Sequence, residues 1–80
     1  MNRFNGSSPV APNYKLDDLE LHTWFERDRS CVELRVKDTD QTVFEVWDED
    51  CQEAFVDGFL DRRNLKESAF EYAQDLGLIS

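Results

Sequence analysis

Glycine, proline, cysteine and histidine are all scarce in this 80-residue chain: three, two, two and one. Three ungrouped glycines leave no glycine-rich loop to cradle a phosphate. With a single histidine, and with no nucleophile-elbow glycines around Ser30 or Ser68, no specific Ser/His/Asp set can be assembled. Long apolar runs are missing too. Nothing approaches the roughly 20 residues of a membrane span, and the N-terminal MNRFNGSSPVAPNYK lacks the apolar segment of a secretory signal. The expectation is a cytoplasmic protein. Basic residues number nine against 18 acidic ones, a formal charge of -9. The isoelectric point is near 4.3. That balance disfavours direct binding to nucleic acid or to an anionic membrane.

The few candidate ligands do not make a site. Cys31 and Cys51 lie in apolar patterns and read as small buried hydrophobes, reduced in a cytosolic setting. A Cys31–Cys51 disulfide is the alternative that spacing leaves open. Zinc would need a carboxylate to join both thiols and His22, and the CxxC spacing of structural zinc is absent. Asp38, Asp40, Thr42 and Glu49 match four positions of a calcium loop, but Val43 stands where the turn glycine is required. Arg62, Arg63 and Lys66 open a helix, as in a DNA-reading helix-turn-helix, yet the acidic helix before it would repel phosphate. The expectation is a non-enzymatic chain with no cofactor, no metal and no catalytic residue.

What is present is apolar material for one small core: 40% hydrophobic residues, including six Phe and two Trp. Residues 1–15, rich in Asn, Gly, Ser and Pro, read as a flexible tail ahead of a single domain over 16–80. The aromatic run at 21–27 predicts a first strand, with a hairpin connection at 26–30. Residues 31–37 alternate cleanly and predict a half-buried second strand. DTDQ at 38–41 is a turn, and TVFEVW at 42–47 a third strand. Short connections favour an antiparallel meander.

The period then becomes helical. Asp48 is the N-cap candidate for a helix bearing Cys51, Ala54 and Phe55, closed near Gly58. A second helix starts at Asn64, which has capping-box spacing to Glu67, or at Asp61, the rival cap. Leu65, Ala69, Tyr72, Ala73 and Leu76 share its inner face. Gly77 ends it and lets Leu78 and Ile79 fold back. The order βββαα predicts an α+β domain with both helices on one sheet face. Its core would hold Leu34, Phe44, Phe55, Leu65, Tyr72 and Leu76.

Two surfaces stand out. Residues 38–61 carry nine acids and no Lys or Arg, while the remainder of the chain is formally neutral. Glu49, Glu53 and Asp57 follow at i, i+4, i+8, where like charges repel. Such a row either keeps a surface soluble or meets a basic partner. Secondly, Val32, Leu34, Val36, Phe44 and Val46 are expected to face the helices. His22, Trp24, Cys31, Val43 and Trp47 then share the outer face. Two outward Trp mark a contact, either with the tail through Phe4, Val10 or Tyr14, or with another molecule.

The stretch from His22 to Leu78 resembles small uncharacterised proteins of bacterial and phage genomes. The resembling segments are TWFERDR (23–29), VEL (32–34), the Trp47-Asp48-Glu49 step, DGFLD (57–61) and SAFEYAQDLGL (68–78). The resemblance implies a compact intracellular domain of the kind mobile elements carry. It brings no activity and no site residue with it.

The expected function is a small acidic protein-binding module. Its sharper form is a phage-type inhibitor that mimics the charge of nucleic acid, as anti-CRISPR and anti-restriction proteins do. Asp48, Glu49, Glu53, Asp57 and Asp61 are the expected contacts, with Trp24 and Trp47. The alternative is a structural protein that homodimerises through the aromatic sheet face.

Overall fold

The computed structural model describes residues 11–80. The chain runs through β1 (Leu19–Glu26), β2 (Arg29–Val36), β3 (Thr42–Trp47), α1 (Asp48–Val56) and α2 (Leu65–Asp75). Short 3-10 turns at Leu16–Asp18 and Arg62–Asn64 precede β1 and α2. The sheet is antiparallel in the order β1-β2-β3, and the predicted βββαα architecture is observed.

Turn chemistry sets the register. Glu26 pairs with Arg29, so β1 and β2 are joined by Arg27 and Asp28 alone. In the second turn the Asp40 N–H donates to the Val36 carbonyl, and the Val36 N–H donates to that of Gln41, both at 2.8 Å. Asp40 has φ 61, a left-handed conformation that Asp tolerates better than most residues. A bulge follows. Leu34 lies opposite Phe44 but Arg35 opposite Thr42, so Val43 is the extra residue. Val43 packs against the core rather than joining Trp24 and Trp47 outside, which corrects the alternation expected for β3.

β2 is central and buried on both faces. Val32, Leu34 and Val36 meet the helices, and Cys31 and Glu33 are buried on the opposite side. Leu34 and Phe44 lie in the core as expected, while Phe55, Leu65 and Tyr72 flank it half-buried. Leu76 does not belong there. It is the C-cap of α2 and 53% exposed. Leu19, Leu60 and Ile79 fill the volume instead, against Ala54, Ala69 and Ala73, whose small side chains let the helices approach the sheet.

Each helix ends at a glycine with positive φ, Gly58 at 86° and Gly77 at 79°. After α2 the Gly77 N–H donates to Gln74 and the Leu78 N–H to Ala73, at 3.0 and 2.9 Å, the paired bonds of a Schellman closure. The closure buries Ile79, whereas Leu78 stays exposed. At the start of α2 the Asn64 side chain makes no cap bond. Asp61 caps the preceding turn, accepting from the Arg63 N–H at 2.9 Å, and its own N–H donates to Ser68 Oγ at 3.0 Å.

Tyr14 packs against the core, and the Pro12 carbonyl accepts the Ser80 N–H at 2.9 Å. Phe4 and Val10, expected to cover the Trp face, lie outside the described residues. Among those described, no helix is long and apolar enough to cross a membrane.

Candidate partner-binding surfaces

The strand register builds the outer sheet face in rungs. Trp24, Cys31 and Trp47 form one rung, and His22, Glu33 and Glu45 the next. Directly opposed residues point to the same side, and Cys31 is small. The two indoles therefore meet above it, stacked 16° from parallel with centroids 6.0 Å apart. They remain 41% and 38% exposed. Arg29 lies 5.3 Å from the Trp47 ring centre and Arg35 6.0 Å from that of Trp24, so the pair is flanked by cations.

Below the indoles, burial pushes the Cys31 thiol up to about 11, with the nearby Glu33 carboxylate adding to the effect. Burial raises Cys51 as well. Both are free thiols, so the disulfide alternative is not realised. Glu33 is only 5% exposed, yet stays charged. Arg35 Nη2 donates to its carboxylate at 2.9 Å, and the Thr42 hydroxyl donates to the other oxygen. The Arg35 bond holds the Glu33 carboxyl below its usual range, against the effect of burial. Neither Arg29, Arg35 nor Glu33 was singled out by the sequence pattern. Their roles depend on the register and on the bulge that brings Thr42 opposite Arg35.

The acidic residues divide into two groups. Glu49, Glu53 and Asp57 are exposed along α1 with Asp50, and none forms an ion pair among the described residues. Asp48 and Asp61 serve the fold. Asp48 was expected to cap α1 but has φ 48, and its carboxylate points instead to the β1–β2 hairpin. There it accepts the Ser30 N–H at 3.2 Å and lies 3.7 Å from Arg29 Nε, while the Ser30 hydroxyl donates to the Asp48 carbonyl. Asp57 is the C-cap of α1, where the helix dipole disfavours an anion, and no basic residue lies in that last turn.

The calcium-loop pattern is dispersed: Asp38 and Asp40 lie in the turn, Thr42 begins β3 and Glu49 is on α1. Glu20, His22 and Asp40 do gather their ligand atoms within 4.8 Å of one another. Arg35 Nη1 is 3.7 Å from Asp40, so a guanidinium already supplies positive charge there.

A third surface was not expected. α1 packs on β2 and β3, and α2 on β2. The inner side of β1 beyond Leu21 is only partly covered: Thr23 and Phe25 are exposed, although the Phe25 ring meets Phe55 of α1 at 6.1 Å between centres. A groove there is lined by Phe25, Gln52, Phe55, Val56 and Arg62. The Arg62 guanidinium rests over both rings, 5.6 Å from Phe25 and 4.7 Å from Phe55. Of this lining only Phe25 belongs to the hydrophobic run at 21–27, and that run does not show how far along β1 the helices reach.

Comparisons of the chain with protein-family models, with curated proteins and with solved structures find no match.

Proposed function

We infer that the protein is a non-enzymatic binding module that presents the carboxylates of α1 to a basic protein surface, in the manner of a nucleic-acid mimic. The observation that carries this reading is the exposed, unneutralised row Glu49, Glu53, Asp57 on one helix, with Asp50 beside it. Four residues of helix rise about 6 Å, so the carboxylates recur at short, regular intervals along a rod. A solubilising surface needs no such order. Like charges at this spacing lower helix stability, and Asp57 adds an anion at the wrong end of the dipole. A basic cleft meeting this face would be reached quickly at low ionic strength and slowly at high.

The test is capture of proteins from a bacterial lysate in low salt, with wild type and with a Glu49→Lys/Glu53→Lys/Asp57→Lys variant. Nucleic-acid-binding proteins should be retained by wild type, released by salt and by duplex DNA, and lost in the variant. Equal capture by the variant would end the reading. The stacked Trp24–Trp47 pair favours a second reading, an assembly protein that pairs through its outer sheet face. Sedimentation of wild type and Trp24→Ala at high concentration decides it: two monomers exclude the dimer.

A further inference from the structure

β1 is an edge strand of the sheet, and among the described residues no strand pairs with its outer side. The Lys37 N–H donates to the Asp18 carbonyl at 3.0 Å, which fixes the alternation of the antiparallel ladder. Even-numbered residues of β1 bond to β2. Leu21, Thr23 and Phe25 therefore aim their N–H and C=O groups away from the sheet, where no strand pairs with them among the described residues. The same stretch is mostly apolar on its inner face and polar around one Trp on its outer face. Inside, Phe25 lies 48% and Val56 85% exposed beside Phe55. Outside, Trp24 is exposed in a row with Glu20, His22 and Glu26. Edge strands are usually shortened, bulged or covered. This one has eight residues, and the bulge of the sheet lies in β3, which does not pair with it.

We propose that the β1 edge accepts an extended segment of a basic partner as a fourth strand, its apolar residues packed on Phe25, Phe55 and Val56 and its Lys or Arg residues on the outer row. The inference rests on the reading above for the partner's charge. The geometry of β1 adds the form of its bound segment. Main-chain bonds to Leu21, Thr23 and Phe25 would hold the segment, and alternate side chains would give specificity. Arg35 and Arg29 lie on β2 opposite Glu20 and Glu26 but are paired with Glu33, Asp40 and Asp48. The two carboxylates of β1 are thus left to set the charge on its open side, where opposite charges directly across a ladder attract and like charges repel. That rule also counts against a second copy of this chain. A symmetric pairing of two β1 strands about Thr23 places Glu20 opposite Glu26 at both ends, between molecules that each carry a charge of -9.

Amide hydrogen exchange on the full chain tests this, with a blocked hexapeptide alternating lysine and valine as the probe. Saturation should slow exchange at Leu21, Thr23 and Phe25 by about tenfold or more, as expected for amides newly paired in a ladder. A glutamate–valine hexapeptide should leave them unchanged. Thr23→Pro removes the central outward donor without a bond to β2, so the fold should persist while protection by the peptide is lost; Thr23→Val should bind like wild type. Protection of other amides only, or equal binding by Thr23→Pro, would overturn the proposal. So would amides already protected in the free monomer, or protected by self-association without peptide. The Glu49→Lys/Glu53→Lys/Asp57→Lys variant separates the two ideas. If the three amides are still protected there, the edge stands without the acidic helix. If partner capture fails only in that variant and never in Thr23→Pro, the helix stands without the edge.

Discussion

Glu33 shows how a buried charge is kept at the centre of so small a sheet. Its carboxylate is covered, so an unpaired anion there would be costly. Arg35 and Thr42 supply the bonds that keep it ionised. Its folded pKa is depressed, so its contribution to stability is present above the ordinary value of 4.5 and is lost as pH falls through the folded value. Glu33→Gln should lower stability by about 1.5–3 kcal/mol at neutral pH, the usual worth of a charge-assisted bond. Urea titrations should find that gap narrowing below pH 4.5. A gap that is constant down to pH 3 would mean the charge is not what matters. Cys31, on the neighbouring rung, makes the opposite case. Its thiol is protonated at neutral pH and shielded by two indoles, so wild type should resist thiol reagents. Trp24→Ala opens the lid, and native-state labelling should then appear at Cys31 while Cys51 stays silent. Labelling of wild type at both cysteines would show that the indoles do not seal the site.

At the scale of elements, α1 holds carboxylates where its own stability would prefer their absence. Glu53 has like neighbours four residues away on both sides, Glu49 and Asp57. Glu53→Gln should therefore raise stability by a few tenths of a kcal/mol while weakening the partner complex, most clearly in low salt. Thermal denaturation beside a binding assay measures both, and a loss of stability would show that Glu53 is paired within the fold. The same elements show what a sequence discloses. The change from a period of two to one of 3.6 at Trp47–Asp48 was legible, and with it the order βββαα. So were the helix ends, because Gly58 and Gly77 take up a conformation other residues resist. The two Trp could be placed on one face by parity. Three features escaped. Val43 left its expected face because a bulge inserts one residue, and no local pattern announces it. Asp48 exchanged a helix cap for a bond to Ser30, a residue 18 positions away. Leu76 followed the helical period but lay beyond the last turn that meets the sheet, while Ile79, past the closure, took the buried place. Each depends on a long-range contact, which periodicity does not encode.

Over the whole molecule, the net charge comes from residues 38–61, which run through the second turn, β3, α1 and the loop after it, while the remainder is formally neutral. The nine acids between residues 38 and 61 outweigh all local cations, and only Asp40 and Asp48 among them are ion-paired within the described residues. Repulsion among the others acts over many ångströms at low ionic strength, where the screening length is about 30 Å at 0.01 M, and much less at 0.15 M, where it is about 8 Å. Adding salt over that range should raise the melting temperature, because these unpaired acids repel one another. The same addition should slow association with a basic partner, because attraction across the interface is screened too. Opposite signs in the two measurements are the expected signature of a charge distribution suited to binding rather than to folding. Glu49→Gln/Glu53→Gln/Asp57→Gln should flatten both responses together, since one set of carboxylates causes both. If the melting temperature falls with salt instead, the attractive pairs Arg35–Glu33 and Arg29–Asp48 dominate the electrostatics of the fold. The unpaired acids of α1 would then contribute too little field to steer a partner.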